Sequence, residues 1–154
     1  MKKLFTILVL FNLAGCKNHS NETVVKVEVK QPQNVNIETQ KILNGFYENS
    51  IGDTLLEINK DTLITYRFFN KLRNAKQLMF SNKGKLTPLG DSLFYTLKNA
   101  RFFGLCPNDY HFKKLEKLTA DFYNKKQDYY DATALAEAEV LFTDAYLKFG
   151  AHLN

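Results

Sequence analysis

The apolar residues of the last third of the chain recur at the helical period, and nothing else in the sequence constrains the fold as tightly. Leu135, Ala138, Leu141, Phe142, Ala145 and Phe149 fall three or four apart, on one stripe of a helix that Asp131 can cap and Gly150 can stop. Two shorter helices precede it. Thr87 stands before Pro88, an N-cap ahead of a proline at the first helical position, and Leu89, Leu93, Leu97 and Ala100 follow at spacings of four, four and three. That helix is expected to run to Gly104, the residue that best tolerates a left-handed terminus. After the turn Leu105-Cys106-Pro107-Asn108-Asp109, another helix carries Leu115, Leu118 and Phe122 on one face. A loop over 124–128, rich in Asn, Lys and Gln, leads to the last helix. Three apolar stripes on short connections must bury against one another, so the expected fold class is mainly α, a small domain of amphipathic helices.

The upstream half is less regular. Ile42, Leu43 and Phe46 suggest a helix over 37–47, weakened by Gly45. Residues 53–69 admit two readings: two short strands around Asn59-Lys60-Asp61, or a helix capped by Asp61, and the helix over 61–70 is favoured. Residues 17–36 are polar and contain Pro32, with one alternation at Val25, Val27 and Val29 that offers an edge strand at most. Apart from Phe5 and Phe11, every Phe and Tyr lies at Phe46 or later. The folded part is therefore expected to begin near residue 37, behind a flexible tether.

At 154 residues the chain has room for one domain. Its formal charge of +5 overstates the basic character: without Lys2 and Lys3 the count is 19 basic against 16 acidic residues, or +3. That balance gives no electrostatic case for binding nucleic acid.

The amino terminus reads as an export signal. Lys2 and Lys3 are followed by an apolar run over 4–11, about half the roughly 20 residues that a membrane-spanning helix needs. Leu13-Ala14-Gly15-Cys16 then resembles the bacterial lipobox, which implies cleavage before Cys16 and a diacylglycerol on its thiol. Each buried methylene of such an anchor contributes about 0.8 kcal/mol, so several chains hold effectively permanently. The expected organisation is a lipoprotein signal over 1–15, the lipidated Cys and tether over 16–36, and a helical domain over 37–154. The expected location is the cell envelope, lipid-anchored on the periplasmic side or at the outer membrane. With Cys16 lipidated, Cys106 has no partner for a disulfide.

Three segments, in order, carry a further resemblance. The first is Leu86-Thr87-Pro88-Leu89-Gly90-Asp91-Ser92-Leu93, and the second is the turn Gly104-Leu105-Cys106-Pro107-Asn108-Asp109-Tyr110-His111. The third is the last helix with Thr143-Asp144-Ala145 at its centre and His152-Leu153 at its end. Over about 61–154 these resemble the amino-terminal scaffold domain of the large L,D-transpeptidases, which make 3-3 cross-links in peptidoglycan. Phe80 falls where that family often has Trp. The resemblance implies a helical scaffold whose motif residues here are Gly104, Leu105, Pro107, Asp109, Tyr110, His111, Thr143, Asp144 and Ala145.

What is missing bears on the chemistry. The family's enzymes use a Cys thiolate in a Ser-His-Gly-Cys context with an upstream His-Gly-Thr, and neither motif occurs here. Cys106 and His111 are five apart, but no cation in the turn would deprotonate a semi-buried thiol there, and Tyr110 and His111 are better suited to fixing the angle between helices. His19, His111, His152 and Cys106 are too scattered for a zinc site. Glu137 and Glu139 sit two apart on a helix and point in different directions, while Asp144 reads as a packing or capping residue. Lys113, Lys114, Lys117, Lys125 and Lys126 read as solvated surface, with acidic stem peptides or anionic lipid as the functional option. No catalytic residue, metal or cofactor is expected. The expected function is a non-catalytic, lipid-anchored scaffold domain, or an amino-terminal fragment of such an enzyme. The expected partners are the membrane through Cys16, and peptidoglycan or a separate catalytic domain. The alternative is an unrelated small helical lipoprotein with a binding or structural role.

Overall fold

A computed structural model describes residues 25–49, 56–58, 61–63, 78–123 and 130–153. Four helices carry the architecture: α1 (Pro32–Asn49), α2 (Pro88–Lys98), α3 (Phe112–Thr119) and α4 (Ala132–His152). The strands are short: β1 (Glu28–Val29), β2 (Leu56–Ile58), β3 (Asp61–Leu63), β4 (Ser81–Asn82), β5 (Lys85–Leu86) and β6 (Tyr130–Asp131). They pair antiparallel as β1 with β6, β2 with β3 and β4 with β5. The fold is mainly α, as the apolar periodicity predicts.

Helix α4 is the axis of the domain. Asp131 caps it, accepting from the Ala134 amide at 3.0 Å, and alternate alanines favour the helical state of the first turns. Every residue from Leu135 to Ala145 is buried, so α4 is enclosed on all sides rather than along a single stripe. α1, α2 and α3 pack around it. The aromatic centre of the core is Phe142, whose ring stacks on Phe80 at 5.3 Å and meets Phe94 edge-on at 6.5 Å. Gly150 does not stop the helix, which continues to His152. An exposed glycine costs a helix only about 1 kcal/mol.

Helix α2 begins as expected: Thr87 Oγ1 accepts from the Gly90 amide at 3.2 Å and donates to the Met79 carbonyl at 2.8 Å. It ends at Lys98, earlier than the predicted Gly104. The Asn99 side chain donates to the Tyr95 carbonyl at 2.8 Å, and a 3-10 turn over Ala100–Phe103 carries the chain to Gly104, which adopts a left-handed φ of 74°. The stripe of α3 is likewise completed by a 3-10 turn, Ala120–Tyr123, which sets Phe122 into the core beside Leu115.

Upstream, the structure corrects three expectations. Order does not begin at residue 37. β1 pairs Glu28 with Asp131 and Val29 with Tyr130, and α1 starts at Pro32, a residue suited to a first helical position, and extends past Tyr47 to Asn49. Val35, Thr39 and Leu43, four apart, form the buried line of α1, while Ile42 and Phe46 are half-buried. Residues 28–36 thus belong to the folded domain and not to a tether. The favoured helix over 61–70 is also overturned at its start, because Leu56 pairs with Leu63, Glu57 with Thr62 and Ile58 with Asp61. Residues 64–70 lie outside the described residues, as does the loop over 124–128.

The β4–β5 hairpin turns through Lys83 and Gly84, both at positive φ (50° and 78°), the geometry that gives two-residue hairpin loops their twist. A Cβ on Gly84 would collide with the Tyr130 ring. Asn36 of α1 fastens the same turn, accepting from the Lys83 amide at 2.7 Å and donating to Asn82 Oδ1 at 2.8 Å.

The amino-terminal segment is tied down by one hydroxyl. Thr133 Oγ1 donates to the Val25 carbonyl and accepts from the Val27 amide, each at 3.0 Å. Thr133→Val keeps the shape and removes both bonds. The expected result is a loss of about 1–2 kcal/mol and faster hydrogen exchange at the Val27 amide, with exchange in the α4 interior unchanged.

Candidate functional site

The polar residues of α4 gather the rest of the chain around it. Beside Thr133, Glu137 pairs with Lys114 of α3 at 2.8 Å. Glu139 is 6% exposed and accepts from three successive amides. They are Met79 (3.1 Å to Oε2), Phe80 (3.0 Å to Oε1 and 3.2 Å to Oε2) and Ser81 (2.6 Å to Oε1). The Ser81 hydroxyl also donates to Oε1 at 2.7 Å. Burial pushes the Glu139 carboxyl above its ordinary value, and the hydrogen bonds from Ser81, Met79 and Phe80 pull against that rise without cancelling it. Thr143 donates back to the Glu139 carbonyl at 2.8 Å.

The second network joins the turn over 104–111 to the stretch of α4 from Asp144 to His152. Gly104 supplies the left-handed turn, and the Leu105 amide closes it on the Ala100 carbonyl at 3.1 Å. Pro107 opens a 3-10 turn, Pro107–Tyr110, in which Asp109 is exposed and Tyr110 is buried. The Tyr110 ring meets Phe149 edge-on at 5.2 Å, and its hydroxyl lies 2.7 Å from His152 Nδ1. Burial first, then the charges of Asp109 and Cys106, push the Tyr110 phenol above its ordinary value. It keeps its proton at neutral pH. His111 follows at a φ of 59°, a left-handed conformation uncommon outside glycine, and ends the turn where α3 begins. Its Nε2 donates to Asp144 Oδ2 at 2.7 Å. Lys148 Nζ reaches the same oxygen at 2.7 Å, and Asp144 is fully buried.

The motif residues from the two distant segments thus meet. Tyr110 and His111 hold α4 at His152 and Asp144, Thr143 braces the Glu139 turn, and Ala145 is buried in the core. Cys106 is exposed rather than semi-buried, and it is a free thiol. The imidazole of His111 is engaged with Asp144. Leu13, Ala14, Gly15 and Cys16 lie outside the described residues, as do His19, Lys125 and Lys126. Among the described residues no group of three His, Cys, Asp or Glu side chains is placed to hold a metal ion. A cleft beside Gly84, Leu118, Phe122, Tyr130 and Leu135 has a volume of about 20 Å³, space for about one water molecule.

A family model described as Scaffold domain matches residues 65–154, more than half of the chain. The chain belongs to the Scaffold domain family. No curated protein and no solved structure matches it. Within this scaffold domain the matched region holds Phe80, the turn over 104–111 and all of α4, so both networks fall inside it. α1 and β1 lie outside the match, yet they pack against α4 or pair with the strand that precedes it.

Sequence reasoning set Glu137 and Glu139 aside as a carboxylate pair and missed their partners on other elements. Their distinguishing signal is context, since two carboxylates stand in a stretch otherwise filled by Ala, Leu and Val, where only a partner on another element makes a charge tolerable. Tyr110→Phe tests the smaller of the two contacts made by the turn. It should cost about 1 kcal/mol, read from the thermal or urea midpoint, because the ring stays packed on Phe149 and only the hydrogen bond to His152 is lost.

Proposed function

We propose that this scaffold domain is a lipid-anchored, non-catalytic module related to the scaffold of peptidoglycan L,D-transpeptidases, and that it acts in the cell envelope. The carrying observation is the family match over 65–154 together with the meeting of its two motif segments at His111–Asp144 and Tyr110–His152. Side chains spent on holding a turn to a helix make a rigid support, and their polar atoms are occupied by one another. The Ser-His-Gly-Cys sequence of the family's enzymes is missing from this chain, which supports a role in positioning or binding. In this reading residues 1–15 are a lipoprotein signal, Cys16 carries the anchor, and peptidoglycan or a separate catalytic domain is the partner.

Two measurements test it. Cys16→Ser should move the chain out of the acylated membrane fraction and remove the acyl mass from the amino-terminal peptide. A chain that is never acylated refutes the anchor. The detergent-extracted full chain should sediment with purified sacculi and leave the pellet when soluble peptidoglycan fragments are added. A chain that stays in the supernatant refutes peptidoglycan as the partner.

A further inference from the structure

The carboxyl end of α2 carries aromatic side chains that the core leaves uncovered. Tyr95 is 70% exposed, Phe102 87% and Phe103 54%. Single exposed apolar residues are ordinary, but these three fall within nine residues of sequence. Tyr95, Lys98 and Phe102 follow one another at spacings of three and four along α2 and the 3-10 turn that continues it. The turn is braced from beneath, where the Phe103 ring meets Phe149 edge-on with centroids 5.7 Å apart. Lys98 and Arg101 are exposed among these rings, and neither forms an ion pair with any described residue. Residues 92–108 contain no Asp or Glu, and Asp91, which bounds that stretch on α2, accepts from the Tyr123 hydroxyl at 2.7 Å, so Lys98 and Arg101 are the charges among the rings.

Aromatic rings interleaved with unpaired cations suit the headgroup layer of an anionic bilayer. The chain also has the reach. The domain is tied at Val25, nine residues after Cys16, a span of at most about 30 Å. From Thr133, which holds Val25, to Phe149, which supports Phe103, the axis of α4 extends about 24 Å. An anchor at Cys16 therefore keeps both ends of α4 within reach of one membrane.

We propose that Tyr95, Lys98, Arg101, Phe102 and Phe103 form a second, non-covalent contact with an anionic lipid surface, so that the anchored domain lies against the bilayer instead of swinging from it. This rests on the reading of Cys16 as the lipid anchor. The aromatic rings sit at headgroup depth, and the two cations neutralise lipid phosphates.

The test uses the full chain extracted from membranes and reconstituted in vesicles of phosphatidylethanolamine and phosphatidylglycerol. A bimane label is placed at Tyr95→Cys in a Cys106→Ser background, and mass spectrometry of the amino-terminal peptide reports acylation of Cys16. Brominated acyl chains should lower the label's fluorescence about two-fold relative to plain lipid, and Phe102→Ser with Arg101→Gln should abolish the effect. An acylated chain whose label is not quenched by brominated lipid overturns the patch and leaves the anchor standing. An unacylated Cys16 overturns both. A label shielded from solvent but untouched by brominated lipid means that protein covers the patch, either a second copy or another chain, and it overturns the lipid contact.

Discussion

Glu139→Ala should lower the free energy of unfolding by about 4 kcal/mol, read as a shift of the urea midpoint at unchanged slope. The substitution leaves the Phe80 and Ser81 amides as buried donors without an acceptor, and each such orphan costs about 1–3 kcal/mol. The damage should also spread along a defined path. Glu139 fixes the segment over 79–81, the Phe80 carbonyl accepts from the Thr87 amide at 2.9 Å, and the Met79 carbonyl accepts from Thr87 Oγ1. Thr87 in turn caps α2, and Gly90 lies so close to the Phe80 carbonyl that a Cβ there would collide with it. Hydrogen exchange should therefore speed up in the first turn of α2 before it does in α3. Equal exchange rates in the two helices would mean that Glu139 only fills space.

The same residue sets a pH dependence whose sign follows from its burial. Glu139 binds its proton more tightly in the folded chain than at the ordinary value of 4.5. Its contribution to stability is complete below that value and is lost as pH rises through the raised one. The wild type should lose stability relative to Glu139→Gln as pH increases from about 4.5 toward neutrality, a slope that urea midpoints at several pH values would reveal. Identical slopes in the two proteins would place the titration elsewhere.

Asp131 and Glu139 show what the sequence could and could not disclose. Asp131 caps the helix that begins one residue after it, so its role depends only on local order and could be read directly. Glu139 bonds to residues about 60 positions away, and no periodicity encodes such a partner. The same distinction runs through the fold. The stripes of α2, α3 and α4 were legible because each buries apolar side chains at helical spacing. The place of residues 25–36 in the folded domain was not, because Glu28 and Val29 become a strand only by pairing with Tyr130 and Asp131, and Val25 and Val27 are held by Thr133. Residues 61–63 offered a good helix cap and a good strand alternation alike, and pairing with 56–58 settled the choice. Of the candidate site, the turn over 104–111 and the Thr143-Asp144-Ala145 segment could be picked out by resemblance. The bond between them could not, since it depends on a left-handed His111 that only the folded turn imposes.

That bond gives the second large effect. Asp144→Ala should cost about 3 kcal/mol, because it removes the one oxygen that receives both the His111 imidazole and the Lys148 ammonium, and His111 is only 12% exposed. The backbone of His111 sharpens the test. A non-glycine residue held at a φ of 59° stores about 1 kcal/mol that the imidazole contact must outweigh. His111→Gly relieves the backbone while deleting the contact, so it should cost less than Asp144→Ala, and His111→Ala, which deletes the contact and keeps the strain, should cost more than His111→Gly. Once His111 is glycine, removing Asp144 no longer sacrifices the imidazole contact. The double-mutant cycle should then return a coupling of at least about 1 kcal/mol between positions 111 and 144. A coupling near zero would mean that the turn is held to α4 by Tyr110 and the surrounding apolar packing alone, and that the left-handed His111 is a consequence of the turn's geometry and not a clasp that maintains it.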